Sequence, residues 1–151
     1  ALLIEESADS VLAMPSHASV RLWEDSLEVL IRDNHLARTF ANYSTKARIL
    51  AGDALMYQDA PLPLLAAYRL DNEESTGVSI EPLSGAERHM AWVENSFLLD
   101  IKDQALVSLH FDWTHRIAQR VPTFSLDYAR DYGKLDDVQN AITRHVSQLG
   151  D

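Results

Sequence analysis

A chain of 151 residues with 46% hydrophobic content has the size of one folded domain and is too apolar to stay disordered. Thirteen basic against 23 acidic side chains give a formal charge of -10, and no basic run breaks that balance, so the sequence excludes DNA and RNA as expected partners. Cysteine is absent, which removes disulfides, thiol chemistry and cysteine-ligated metal and suits a reducing, cytoplasmic setting.

The opening Ala1–Ile4 reads as a buried strand that ends at the acidic pair Glu5-Glu6, with no basic segment ahead of it of the kind a signal peptide carries. The pattern begins in mid-element and without methionine, which suits a piece of a larger fold. Residues 11–14 and 20–23 read as short strands on either side of Pro15. Asp25 or Ser26 can cap a short helix with Leu27, Leu30 and Ile31 on its apolar face. His35 to Phe40 is ambiguous, and Lys46 to Leu50 looks extended. Residues 62–70, apolar for most of their length, read as a central strand covered on both faces. A polar gap from Asp71 to Gly77 suggests a hairpin-like connection to a second strand around Val78 and Ile80.

Ser84 and Glu87 have capping-box spacing, which predicts a helix over 84–98 with Ala86, Met90, Val93 and Phe97 on one stripe. Trp92 falls off that stripe, facing either a second layer or a partner. A second helix is predicted over 101–121, inward at Leu106, Leu109, Trp113, Ile117 and Val121, and stopped by Pro122. Residues 122–128 alternate as a half-buried strand, and a final helix is predicted over 135–149. The expected fold class is α/β (α+β), a mixed sheet with about three longer helices packed on it in a single domain spanning 1–151. No run of about 18 uncharged apolar residues occurs, so no membrane contact is expected.

Few residues carry chemistry. A carboxylate at a strand end, as at Glu5-Glu6, is placed to hold magnesium or orient a hydroxyl nucleophile, although a solvated turn explains the same two residues. Lys46 and Arg48 alternate with Ala47 and Ile49, so both project to one side, where they suit a phosphate or ordinary solvent. Arg69 must emerge at the sheet edge or meet a carboxylate. Of the six histidines, His17 lies near the strand-end region, and no HExxH pattern is present. GxxxxGK[ST], GxGxxG and GxSxG are all missing.

Taken in order, LLIEES, VLAMPSHASVRLW, STKAR, PLPLLAAYRL, VSIEPLSGAE and VPTFSLDYARD resemble the HPr kinase-like proteins, and their HPr kinase-related branch most closely. The resemblance runs from Leu2 to about Val146. It implies a fold similar to the phosphoenolpyruvate carboxykinase nucleotide fold, with ATP and magnesium as cofactors and phosphorylation of serine in a protein or peptide. By matching position, Glu5 stands at the family's catalytic base, Glu6 at its metal-associated aspartate, and Lys46 and Arg48 at its basic, nucleotide-binding element. The chain departs from the pattern in two places: the acidic pair is Glu-Glu where the family has Asp-Asp, and the phosphate-loop half is not present. Two expectations follow. The chain is part of a kinase-like protein, inactive alone, or it is a non-catalytic module that binds a partner or a second copy of itself.

Overall fold

The computed structural model describes residues 2–31, 37–41, 44–50, 57–72, 75–98 and 100–149. In chain order the elements are β1 (Leu3–Glu6), β2 (Val11–Met14), β3 (Ser19–Leu22), α1 (Glu24–Leu30), β4 (Ala37–Ala41), β5 (Ser44–Leu50), β6 (Leu62–Pro63), β7 (Ala67–Leu70), β8 (Val78–Pro82), α2 (Gly85–Asn95), α3 (Gln104–Arg120), β9 (Thr123–Tyr128), a 3-10 turn (Tyr132–Lys134) and α4 (Leu135–Leu149). The fold is a mixed α/β one. Its described strands form three sheets, ordered β1-β2-β6, β3-β5-β4 and β7-β9-β8. The chain divides into two compact units, Ala1–Glu5 with Ala13–Leu62, and Glu6–Leu12 with Pro63–Asp151.

In the first unit β5 is the middle strand, antiparallel to both neighbours. Its register sets Ile49 opposite Val20 and Ala47 opposite Leu22. Alternation therefore gathers these apolar side chains on one face, where Ile49 is fully buried at 0% exposure. Trp23 stands at the N-cap of α1 without a side-chain cap bond, and Asp25 lies inside the first turn beside Glu24, where the helix dipole favours acids.

The second unit is organised by β9, which pairs parallel with β7 and antiparallel with β8. Its odd positions, Thr123, Ser125 and Asp127, share a face with Arg69 of β7 and with Ser79 and Glu81 of β8. The opposite face holds Phe124 and Leu126, both buried, with Tyr68 stacked on Phe124 at 5.7 Å between ring centroids. His145 of α4 meets Phe124 edge-on at 4.4 Å, so α4 covers this apolar face. On the polar face α2 lies against β9, where the Trp92 indole donates to Thr123 Oγ1 at 2.9 Å. The core of the unit is completed by Ile117, Ala118 and Val121 from the end of α3.

Several local expectations are corrected. Residues 62–70 do not form one central strand. Pro63 ends a two-residue piece, and β7 stands at the edge of its sheet, half-buried rather than covered on both sides. The connection from β7 to β8 is not a hairpin, because β9 lies between them. Ser84 is at the N-cap of α2 but makes no side-chain cap bond, and Glu87 turns instead to Arg69 at 3.1 Å. The turn into that helix relies on Gly85, whose φ of +53° strains any residue with a Cβ. The α2 stripe is rotated from the expected one: Ala91 is buried and Trp92 faces β9, while Met90 and Phe97 are 40% and 81% exposed. In α3, capped by Asp103 through Ala105 N and Leu106 N, the apolar residues of the first half face outward.

The two halves of α3 therefore differ in what they contribute. Ile117→Ala is expected to cost about 2–5 kcal/mol, and Leu109→Ala, at a position 65% exposed, under about 0.5 kcal/mol. Urea unfolding of both variants checks the contrast.

Candidate functional site

The acidic pair is split by the pleat of β1. Successive strand residues point to opposite faces, and Glu5 is exposed where Glu6 is half-buried. The Glu5 carboxylate makes no side-chain hydrogen bond or ion pair among the described residues. Glu6 is held on both oxygens. Arg116 Nε donates to Oε2 at 3.3 Å, and Arg120 Nη1 donates to Oε1 at 3.2 Å. Arg120 donates further to the carbonyls of Ser7 at 2.8 Å and Ala8 at 3.2 Å, which fixes the turn after β1. Burial by itself raises the Glu6 pKa. Hydrogen bonds and charge from the two arginines outweigh it and hold the carboxyl below its ordinary value. A divalent ion at Glu6 would have to displace two guanidinium groups, and no cluster of three or more potential metal ligands occurs among the described residues.

The basic residues fall on the face of the β3-β5-β4 sheet opposite Ile49. Lys46 and Arg48 are two apart in β5 and so project together. Lys46 Nζ lies 4.3 Å from the ring centre of Trp23, a cation–π contact. Arg48 stands directly opposite Arg21 of β3 and, on its other side, at the register position of Arg38 of β4. Its Nε is buried without a hydrogen-bond partner among the described residues. Sequence reasoning singled out Lys46 and Arg48 and passed over Arg21, although the alternation of Val20, Arg21 and Leu22 carried the same signal.

A third feature lies on the polar face of the β7-β9-β8 sheet. An open cavity of about 510 Å³ is lined by Arg69, Asp71, Ser79, Glu81, Ser125 and Asp127, among others. These side chains largely satisfy one another. Arg69 reaches Glu87 at 3.1 Å and Asp71 at 3.7 Å, Ser125 Oγ donates to Asp71 Oδ2 at 2.6 Å, and Asp127 accepts from Ser75 N at 2.7 Å. The Ser125 bond is the main reason the Asp71 carboxyl lies below its ordinary pKa. Burial opposes it, and Arg69 and the Asn72 amide add to it. Arg69 is thus the paired arginine that its position required.

Beside this face runs the free edge of β7. In the parallel ladder Ala67 N donates to Pro122 O at 2.9 Å and Asp71 N to Leu126 O at 3.0 Å. The alternate residues, Tyr68 and Leu70, therefore direct their main-chain groups away from β9, where no described strand pairs with them. A hollow of about 270 Å³ along this edge is lined by Tyr68, Leu70, Ala91 and Trp92.

The described histidines are hydrogen-bonded or exposed. His17 is exposed. His110 Nε2 is 2.8 Å from Ser96 Oγ, His145 Nδ1 is 2.8 Å from the Tyr68 hydroxyl, and His89 lies 3.2 Å from Thr114 Oγ1. His115 Nε2 lies 2.9 Å from Gln119 Nε2 at an exposed position, and the sixth, His35, lies outside the described residues. No helix among the described residues is long and apolar enough to cross a membrane. No family model, curated protein or solved structure matches this chain.

Because the folded-state pKa of Glu6 is depressed, its contribution to stability is fully present above the ordinary glutamate value of about 4.3 and is lost as pH falls through the lower folded value. Chemical unfolding at a series of pH values should show the native chain losing stability below about pH 4.3 more steeply than Glu6→Gln. At the other carboxylate, Ser125→Ala should move the Asp71 pKa upward toward its ordinary value, as followed by NMR titration of the side-chain carboxyl.

Proposed function

We propose that this chain is part of a protein resembling an ATP-dependent serine kinase that acts on a protein or peptide, and that it does not turn over ATP alone. The observation that supports this reading is the open edge of β7. A sheet whose edge strand offers main-chain groups that no described strand pairs with, beside an apolar hollow, is suited to receive a further strand. In this reading that strand belongs to a segment carrying the phosphate loop, supplied by the same polypeptide or by a partner.

The roles of individual residues come from the resemblance. ATP brings the phosphoryl group. Lys46 and Arg48 neutralise phosphate oxygens, for which the shared face and the unpartnered Arg48 Nε are suited. Glu5, exposed and unengaged, takes the proton of the serine hydroxyl. The donor set around Glu6 does not fit a magnesium ion while Arg116 and Arg120 hold both of its oxygens.

That same engagement of Glu6 favours a second reading, a binding or assembly module without catalysis. The two readings diverge in one assay. Phosphoryl transfer from ATP to a serine peptide by the full-length gene product, reduced about 100-fold or more by Glu5→Ala, is expected for the kinase. Failure of that product to bind ATP with magnesium in calorimetry would leave the assembly module.

A further inference from the structure

We infer that the stretch from Phe97 to Phe111, which leads from α2 into α3 and forms the first half of α3, is a dimerisation surface, and that its occupant is a second copy of this chain laid antiparallel along α3. The inference goes beyond both readings above, since a kinase and a non-catalytic module alike can pair through this face.

Exposed apolar area is the first ground. Within this one stretch Phe97 is 81% exposed, Ile101 77%, Leu109 65%, Phe111 49%, Leu106 43% and Val107 39%. A single exposed leucine needs no explanation, but six such side chains in one stretch do. With residue areas of about 150–250 Å² each, they leave on the order of 700 Å² to solvent. That exceeds the largest apolar patch of a typical monomer, about 300–600 Å². It approaches the roughly 800 Å² that a standard interface buries on each partner.

The second ground is the pattern along the helix. Lys102, Leu106, Leu109 and Trp113 are spaced by four, three and four residues, the seam spacing of paired helices. The line runs on into Trp113, which is half-buried, and Ile117, which is fully buried. The chain's own core thus uses one end of the seam and leaves the other bare.

Charge is the third ground, and it selects the occupant. Antiparallel pairing that sets Leu106 against Leu109 of a second copy brings Lys102 level with the Asp112–Trp113 step of that copy. A cation then meets a carboxylate and an indole. Two-fold symmetry makes the contact twice, so the surface is complementary to itself. Asp100, Asp103 and Asp112 in and beside the stretch make an anionic lipid surface a poor occupant. Two chains of charge -10 repel each other, but at about 0.15 M salt that repulsion is screened beyond about 8 Å.

Sedimentation equilibrium on the chain as it stands, at about 0.15 M salt, is expected to show a monomer–dimer equilibrium in the micromolar range. Leu109→Glu should weaken the dimer about tenfold or more. Lys102→Glu should weaken it about threefold or more, and adding Asp112→Lys to that variant should restore it. Leu65→Glu, at an exposed position between β6 and β7, leaves it unchanged. Circular dichroism confirms that each variant is folded, and if Leu109→Glu unfolds, the charge exchange decides alone. A chain that stays monomeric at high micromolar concentration, a dimer that Leu109→Glu leaves intact, or a loss on Lys102→Glu that Asp112→Lys does not restore would each overturn the proposal. So would a chain that is monomeric alone but binds an upstream segment of the full-length product through Leu109, which makes that segment the occupant. A dimer without phosphoryl transfer by the full-length product removes the kinase and keeps the surface, and a monomer that transfers phosphate does the reverse.

Discussion

The second unit depends on the alternation of β9. One strand of six residues presents Thr123, Ser125 and Asp127 to one side and Phe124, Leu126 and Tyr128 to the other. The apolar side seats α4 through Phe124 and His145, and the polar side anchors α2 through Thr123 and Trp92. Because β9 also supplies both ladders of its sheet, a slip of one residue would exchange the two faces and detach both helices. The main-chain bonds running from Ala67 to Pro122 and from Leu83 to Thr123 hold the register at the strand's entrance, where Pro122 prevents α3 from continuing.

Much of this was legible in the sequence where the signal is local. The alternation of residues 123–128, the strand at 78–82 and the helix at 135–149 follow from period and punctuation alone. The stripe of α2 was not legible, because the strongest anchor on its inner face is an indole hydrogen bond to a residue 31 positions away. The apolar chemistry of Leu106 and Leu109 points inward, but only the second half of α3 is covered. The run 62–70 misled for a different reason. Apolar residues without alternation suggest cover on both faces, whereas Pro63 interrupts the ladder and β7 ends at an edge.

The candidate site shows the same division. That Lys46 and Arg48 share a side is a matter of spacing, and the strand bears it out geometrically. The partners of Glu6, by contrast, come from α3 at separations of 110 and 114 residues, and no local pattern announces them. The same is true of the register positions beside Arg48, since two strands contribute a neighbour to it only once the sheet is assembled. Charge pairing across long separations is decided by topology, and topology was the least readable level of this chain.

Among the described residues the rim of β7 is bare, and this has a colloidal consequence. Natural sheets usually guard such a rim with charge, proline or a bulge, and the stretch Ala67–Leu70 has only Arg69, which is occupied by carboxylates. The surplus of ten negative charges opposes the pairing of separate copies along it by long-range repulsion. That protection vanishes near the isoelectric point of about 4.9. Mild acidification should thus turn the uncovered rim into a seed for precipitation well before the fold itself is lost.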